Sequence, residues 1–153
     1  MSELTTLPDI PVAFHNNVAI SWRGEHRFSA ARPGSPSVTI DASAKEGPSP
    51  VDALLIGLGT CTAVDVVDIM AKRRTPVASL DVDIVAARAD AVPKRLIGVL
   101  ITYRITGEGI ERVHAERAAE LAVDKYCSVR MSLDPNMPVT WRVVLNGEAA
   151  GPA

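Results

Sequence analysis

The stretch GPSPVDALLIGLGTCTAVDVVDIMAKRRTP (residues 47–76) contains the most apolar run of the chain and carries clear signals for a helix. Ser49 is a suitable N-cap, and Pro50 fits the first helical position because a residue there needs no backbone N–H. Basic residues near the end of the run suit the negative pole of a helix dipole, and Pro76 prevents the helix from continuing. The pattern predicts one long helix over about residues 50–73.

This helix is apolar nearly all round, which is typical of a helix that is buried on most sides. One narrow line of polar side chains runs along it: Cys61, Asp65, Asp68 and Lys72. Gly57 and Gly59 lie within a turn of Cys61, although each glycine costs about 1 kcal/mol relative to alanine inside a helix. Such glycines indicate either close approach of another backbone or room for a substrate beside the thiol.

Hydrophobic residues alternate with a period of two in other segments of the chain, which predicts strands. These segments are 18–22, 26–30, 37–42, 80–87, 97–106 and 139–145. A second amphipathic helix begins near Glu111 and continues to about Tyr126, because its alanines fall on one face. The order β-β-β-α-β-β-α-β, with strands in pairs that look antiparallel, predicts an α+β fold. We expect a single domain over residues 17–146, between flexible segments at 1–16 and 147–153.

The composition and charge limit the possible functions. The chain carries 16 Lys and Arg against 18 Asp and Glu, and the basic residues are dispersed, so nothing indicates nucleic-acid binding. The N-terminus lacks the basic and apolar regions of a signal peptide. The longest nearly charge-free run, between Asp52 and Asp65, is shorter than the roughly 20 residues that span a bilayer. We therefore expect a cytoplasmic protein with no membrane partner, whose cysteines rest as free thiols.

Cys61 and Cys127 are the only cysteines and the strongest candidates for chemistry. A lone cysteine in an apolar helix is often no more than a small buried hydrophobic residue, and this interpretation stays open for Cys61. Cys127 lies between Lys125 and Arg130, just before a short predicted helix in SVRMSL; nearby cations and a helix N-terminus both lower the pKa of a thiol. There is no C-x-x-C pair, the histidines lack zinc-ligand spacing, and the common nucleotide-binding and hydrolase motifs are absent from the sequence.

Two segments resemble the OsmC/Ohr family (osmotically inducible protein C and organic hydroperoxide resistance protein): GPSPVDALLIGLGTCTAVDVV (47–67) and AVDKYCSV (122–129). They are similar to the family's proline-led central helix, with its cysteine, and to its second-helix cysteine. The resemblance extends from about Trp22 to Leu145. The small residues around Cys61 are most similar to the YhfA-like branch of the family.

The resemblance implies an intertwined homodimer, in which two central helices pack against each other inside sheets from both chains. It also implies peroxiredoxin-like chemistry in oxidative-stress defence. Cys61 matches the peroxidatic cysteine, which reduces an organic hydroperoxide and becomes a sulfenic acid, and Cys127 matches the resolving cysteine, which condenses with it to a disulfide. A dithiol reductant then reopens the disulfide, and neither a metal nor an organic cofactor is needed. The apolar side chains of Leu54, Leu58 and Met70 near the thiol favour organic peroxides over hydrogen peroxide.

The residues that would activate the thiol match the family less well. The family holds its reactive thiolate with an arginine and a glutamate, and Val51 stands where that glutamate is expected. Glu46, in the preceding loop, is the substitute candidate. Arg23 is the best-placed arginine, with Arg27 second, and either is also interpretable as a solvated charge of a hairpin.

Two other functions remain open at this point. The absent glutamate favours a non-catalytic dimer that binds a small molecule or senses oxidants through its thiols. The third interpretation is a thioesterase of the hot-dog type, because a central helix wrapped by a sheet also describes that fold. Asp65 is the one obvious carboxylate on the helix for such an enzyme.

Overall fold

A computed structural model describes residues 16–152. The chain separates into two compact units, one up to Ala53 and one from Leu54 onward, and each is described by itself. The predicted flexible segment 1–16 lies outside the described residues except for its last position. The last residue of the predicted flexible tail, Ala153, also lies outside them.

The first unit holds a three-stranded antiparallel sheet in the order β1-β2-β3. Its strands are β1 (Ala19–Trp22), β2 (Arg27–Ala31) and β3 (Val38–Asp41). The hairpin between β1 and β2 closes through Arg23 N–H, which donates to the Arg27 carbonyl at 2.9 Å. Gly24 takes the left-handed conformation in this turn, with φ of 100°, which glycine adopts without strain. The three predicted strands of this half and their first hairpin are confirmed.

The central helix α1 covers Pro50–Lys72, within one residue of the prediction. Its N-terminus is closed by two reciprocal hydrogen bonds between Ser49 and Asp52. The Asp52 backbone N–H donates to Ser49 Oγ at 3.2 Å, and the Ser49 backbone N–H donates to an Asp52 carboxylate oxygen at 2.9 Å. These bonds satisfy helix N-terminal donors that would otherwise lack partners, which is why the helix begins here.

The second unit contains a sheet in the order β4-β5-β6 with helical segments beside it. Its strands are β4 (Ser79–Arg88), β5 (Leu96–Thr106) and β6 (Val139–Leu145). β4 pairs with β5 in antiparallel register, with Val82 opposite Tyr103. β6 runs parallel to β5, a direction that the strand pattern did not predict. The reason is the helical crossover between β5 and β6, which returns the chain to the same end of the sheet.

The crossover consists of three consecutive helical segments: α2 (Arg112–Leu121), a π-helical segment (Ala122–Tyr126) and the short α3 (Ser128–Met131). The core of the unit is enclosed by these three helical segments, by the sheet of β4, β5 and β6, and by one face of α1. Gly59 lets α1 lie close to the sheet, since a Cβ at this position would be 3.7 Å from Val82 Cγ1 and nearer still to Ile84.

Much of α1 remains exposed within a single chain, so the expected burial on most sides stays a prediction. Ile56 is 52% exposed and Val64 is 59% exposed, while Leu58, Val66 and Met70 are buried. By length and composition alone this helix could cross a membrane, with only 28% of its apolar window buried. That is weak evidence for a membrane protein, because the core helix of a soluble protein passes the same test.

Candidate functional site

The fold brings the two cysteines together, although they are distant in the sequence. Cys61 lies half-buried on α1, and Cys127 is fully buried between the π-helical segment and α3. Their thiols are close enough for a side-chain hydrogen bond between them. Both are free cysteines in this structure. One accessible thiol therefore lies beside one that is shielded from solvent.

The position of Cys127 depends on the irregular end of the second helix. Its backbone N–H donates to the Ala122 carbonyl at 3.0 Å, a spacing of five residues that belongs to a π-helix. The chain then becomes extended at Cys127, which is the N-cap of α3, and the Cys127 Sγ accepts a hydrogen bond from Arg130 N–H at 3.3 Å. Single turns of π-helix occur frequently at functional sites, and here the turn directs the thiol toward Cys61.

Burial raises the pKa of Cys127 to about 11, against an ordinary value of 9.0. The Cys61 thiol raises it further, and the Arg130 N–H opposes both effects. The expectation that neighbouring cations lower this pKa is wrong. The Arg130 guanidinium instead donates to the Asp134 and Met137 carbonyls, both at 3.1 Å, and the Lys125 ammonium lies over the Tyr126 ring.

Beside the thiols lie two buried hydroxyl groups that the sequence analysis did not single out. Thr62 donates its hydroxyl hydrogen to the Gly59 carbonyl at 3.0 Å. Tyr103, on β5, is fully buried beside the Thr62 side chain. Burial raises the pKa of Tyr103 above its ordinary range; the Thr62 hydroxyl lowers it, and Cys127 is close enough to affect it as well. In the sequence, Tyr103 is distinguished only as the single aromatic residue of its strand.

The polar line on α1 continues from Cys61 into an open cleft of about 550 Å³. Its walls carry Asp65, Asp68, Ile69, Lys72, Arg73, His114, Arg117, Leu121 and Tyr126. Desolvation raises the pKa of Asp65, the charge of Asp68 raises it further, and Lys72 lowers it. The predicted apolar lining does not form as expected, because Leu58 and Met70 are completely buried and only Leu54 is exposed. Six of the nine lining residues are ionisable, and Ile69, Leu121 and Tyr126 supply apolar surface.

Arg23 and Glu46, the predicted activating residues, both lie in the first unit. Glu46 pairs with Arg27 at 2.6 Å, and this contact raises the pKa of the Arg27 guanidinium. The Asp41 carboxylate fixes the loop that carries Glu46 by accepting hydrogen bonds from backbone N–H groups, that of Glu46 among them at 3.1 Å. Arg23 is exposed and makes no ion pair within the described part of the chain. The catalytic roles of Arg23 and Glu46 stay predictions.

No group of three or more potential metal-ligating side chains occurs among residues 16–152. The chemistry that the described residues themselves offer is that of two neighbouring thiols. They can exchange electrons by forming and breaking a disulfide, since the closeness of the thiols allows an S–S bond to form with little movement.

Comparisons with known proteins place the chain in a family. A family model for OsmC-like protein matches residues 42–142. Protein YhfA of Escherichia coli (strain K12) is 31% identical over 98 residues, which cover 64% of this chain and 73% of YhfA.

Solved structures show the same fold. The OsmC-like protein from Mycoplasma pneumoniae superimposes with a TM-score of 0.74 at 15% identity, covering 88% of this chain and 99% of its own. The organic hydroperoxide resistance protein OhrB of Bacillus subtilis gives a TM-score of 0.59 at 14% identity, covering 87% and 100%. The family match includes both cysteines, and the shared fold extends over most of the chain. This protein belongs to the OsmC-like family.

Proposed function

We propose that this protein is a thiol-dependent peroxidase that reduces organic hydroperoxides, with Cys61 as the peroxidatic cysteine and Cys127 as the resolving cysteine. The observation that carries the proposal is the pairing of a half-exposed thiol with a buried one at hydrogen-bonding distance. A peroxide that enters from solvent meets Cys61 first. The neighbouring Cys127 is then in place to trap the oxidised product.

The cycle has three steps. The Cys61 thiolate attacks the outer oxygen of the hydroperoxide, the O–O bond breaks, and an alcohol leaves after taking up one proton. Cys127 then attacks the sulfenic sulfur of Cys61, the S–O bond breaks, and hydroxide leaves as water with the proton that Cys127 gives up. A dithiol reductant reopens the disulfide by two exchange steps and becomes a disulfide itself.

The choice of organic hydroperoxides is supported by the fold shared with OhrB, whose name states organic hydroperoxide resistance. The charged cleft and Val51, at the position of the expected glutamate, give no support to this choice. Within the first unit, Arg27 of β2 pairs with Glu46 of the loop after β3, and whether an arginine and a glutamate activate Cys61 stays a prediction.

We further propose that the active form is a homodimer in a reducing, cytoplasmic compartment. On α1 an exposed stripe contains Ile56, Thr60, Val64 and Val67, spaced about one turn apart. Gly57 borders this stripe, and a Cβ built there meets no atom within 4 Å, so another helix can approach closely at this point. A second copy of the chain supplies the matching apolar stripe.

The second candidate function is an oxidant sensor or small-molecule binder without turnover. The cleft of about 550 Å³, which begins at Asp65 one turn after Cys61, favours it, because several cations and two aspartates line a space that a polar ligand can occupy. A sensor would oxidise Cys61 and would not complete a rapid cycle with a dithiol.

Mass spectrometry of the reduced protein after a short pulse of cumene hydroperoxide, with hydrogen peroxide in parallel, tests the proposal. We expect the loss of two hydrogens, mapped to a Cys61–Cys127 disulfide and reversed by dithiothreitol. Cys127→Ser should stop at the sulfenic acid of Cys61, and Cys61→Ser should remain unchanged. Oxidation that ends at Cys61 in the parent would support the sensor, and two unchanged thiols would refute both redox functions.

A further inference from the structure

The cleft that begins at Asp65 carries charged groups that the proposed redox cycle does not use. Its volume of about 550 Å³ falls within the roughly 300–1,000 Å³ that is usual for small-molecule sites. One wall is formed by α1, and the other by α2 and the π-helical segment, all within the second unit. Asp65 follows Cys61 by four residues, and residues four apart are neighbours on a helix surface. A ligand that fills the cleft therefore ends close to the Cys61 thiol.

The charges on the α1 wall follow a fixed order. Asp65 and Asp68 come first, and Lys72 and Arg73 follow at the far end. Asp68 and Lys72 even have the four-residue spacing that favours an ion pair. Within residues 16–152, however, none of these four side chains forms a salt bridge. Two negative and two positive groups are thus available to a ligand.

The other wall adds little unpaired charge. Arg117 contacts Glu120 at 2.5 Å, and His114 lies 3.9 Å from Glu111. Each of these two basic side chains therefore already has an acid of its own segment as a neighbour. The charges left for a ligand are balanced, which favours a ligand that is itself both cationic and anionic over a simple anion.

The spacing of the charges sets the length of this ligand. The midpoint of the acidic pair and that of the basic pair are six residues apart, which is about 9 Å along a helix. Long helical side chains lean toward the N-terminus, so the basic groups shorten this gap. A free amino acid carries both charges on one carbon and cannot reach both pairs. An extended peptide of two or three residues spans about 7–10 Å. Between the two pairs, Ile69, Leu121 and Tyr126 offer apolar surface to its side chains.

We propose that the cleft binds a short zwitterionic peptide of two or three residues, with its amino terminus at Asp65 and Asp68 and its carboxylate at Lys72 and Arg73. The amino end of the bound peptide then lies beside Cys61. The proposal rests on the second candidate function, that of a small-molecule binder, and gives it a ligand class. Neither thiol needs to be oxidised for the peptide to bind.

Calorimetric titration of the reduced protein with the tripeptide alanyl-leucyl-alanine tests the proposal. We expect saturable binding of the free peptide. The N-acetylated peptide and the peptide amide each lack one end charge, so each should bind about five-fold more weakly, the upper range for ion pairs that stay in contact with solvent. Leucine should also bind more weakly, because its charges are too close together. No binding of the free peptide, or equal binding of all three peptides, would overturn the proposal.

Arg73→Gln and Arg74→Gln are matched variants for the carboxylate end. They remove the same charge at adjacent positions, but only Arg73 lines the cleft. We expect Arg73→Gln to weaken binding of the free peptide about five-fold and to leave binding of the amide unchanged, since the amide has no carboxylate. Arg74→Gln should bind both peptides as the parent does. Equal losses in the two variants would show only a general effect of charge and would overturn this placement.

Asp68→Asn tests the amino end in the same way. It should weaken binding of the free peptide and leave binding of the N-acetylated peptide unchanged, because the acetyl group removes the ammonium charge. Parallel losses for the two peptides would contradict the placement of the amino terminus. All titrations use reduced protein without peroxide, so failure of the peroxidase function would leave these results intact. Failure of peptide binding would likewise leave unaffected the disulfide that cumene hydroperoxide is expected to form.

Discussion

Replacement of Val64 by glutamate tests the proposed contact between two copies of α1. Val64 is 59% exposed in the single chain and lies in the middle of the exposed stripe. Complete burial of a valine is worth about 1.5–3 kcal/mol, so burial of the exposed part contributes about 1 kcal/mol per copy. A symmetric interface buries two copies and gains about 2 kcal/mol, which corresponds to a dissociation constant about 30-fold lower. Glutamate removes this gain and adds two like charges in an apolar contact.

Sedimentation equilibrium over a range of micromolar concentrations measures the effect. We expect the parent to be a dimer and Val64→Glu to dissociate at least about 30-fold more readily, because charge burial adds to the lost apolar contact. Val113→Glu is the matched control, since Val113 is 61% exposed but lies on α2, outside the stripe. Its dissociation constant should equal that of the parent.

Two results would refute this reasoning. If Val64→Glu associates as tightly as the parent, the exposed stripe is not the interface. If the parent is monomeric throughout the concentration range, the apolar face of α1 has another partner, and the dimer proposal fails. A fall in association that is equal for Val64→Glu and Val113→Glu would show only a general effect of added charge.

The remaining predictions concern stability. Gly47→Ala should destabilise the protein by about 1–3 kcal/mol, because its Cβ would lie 2.5 Å from the backbone carbonyl oxygen of Thr39, whereas Gly98→Ala meets no atom within 4 Å. Calorimetry of the two variants checks this, and equal midpoints would contradict it. The pKa of Cys127 in the folded protein is about 11, above its ordinary value of 9.0. The contribution of this thiol to stability is therefore fully present at pH values below 9.0 and is lost as the pH rises through the pKa of the folded protein. The free energy of unfolding, measured in urea, should fall across this pH range in the parent and fall less in Cys127→Ser. Parallel pH curves for the two proteins would contradict this prediction. Backbone N–H groups of the 43–46 loop hold the pKa of Asp41 below its usual range, so its contribution is present above the unfolded pKa and lost as the pH falls through the folded value. Asp41→Asn should therefore speed hydrogen exchange at Ser43 and Glu46 at neutral pH, and unchanged exchange would refute the role of the carboxylate.

The parts of the fold that depend on local pattern are predictable from the sequence. The limits of α1 follow from its capping residues and from Pro76, and the strands follow from alternation that nearby residues alone determine. The direction of β6 is not readable in this way, because it depends on how three helical segments cross the sheet. A strand has the same alternation whether its neighbour is parallel or antiparallel.

The candidate site is likewise only partly predictable from the sequence. Cys61 and Cys127 can be selected from the sequence because they are the only thiols, but their contact depends on how α1 and the crossover pack. The pKa shift of Cys127 was predicted in the wrong direction, because the Arg130 guanidinium turns toward carbonyl groups and the Lys125 ammonium lies over the Tyr126 ring, while burial acts on the thiol itself. Tyr103 was missed because the burial of its hydroxyl depends on how separate elements pack, and the sequence of one strand does not show it.

The raised pKa of Cys127 is compatible with a fast resolving step when the magnitudes are compared. Its thiolate fraction at neutral pH is about 10⁻⁴, against a few per cent for a free cysteine. Two groups held in reacting contact behave as though one were present at roughly 10⁵–10⁸ M. Even the lower figure leaves an effective thiolate concentration of about 10 M, far above that of any millimolar thiol in solution. In the proposed cycle, burial therefore shields Cys127 from direct oxidation and still permits its attack on an oxidised Cys61.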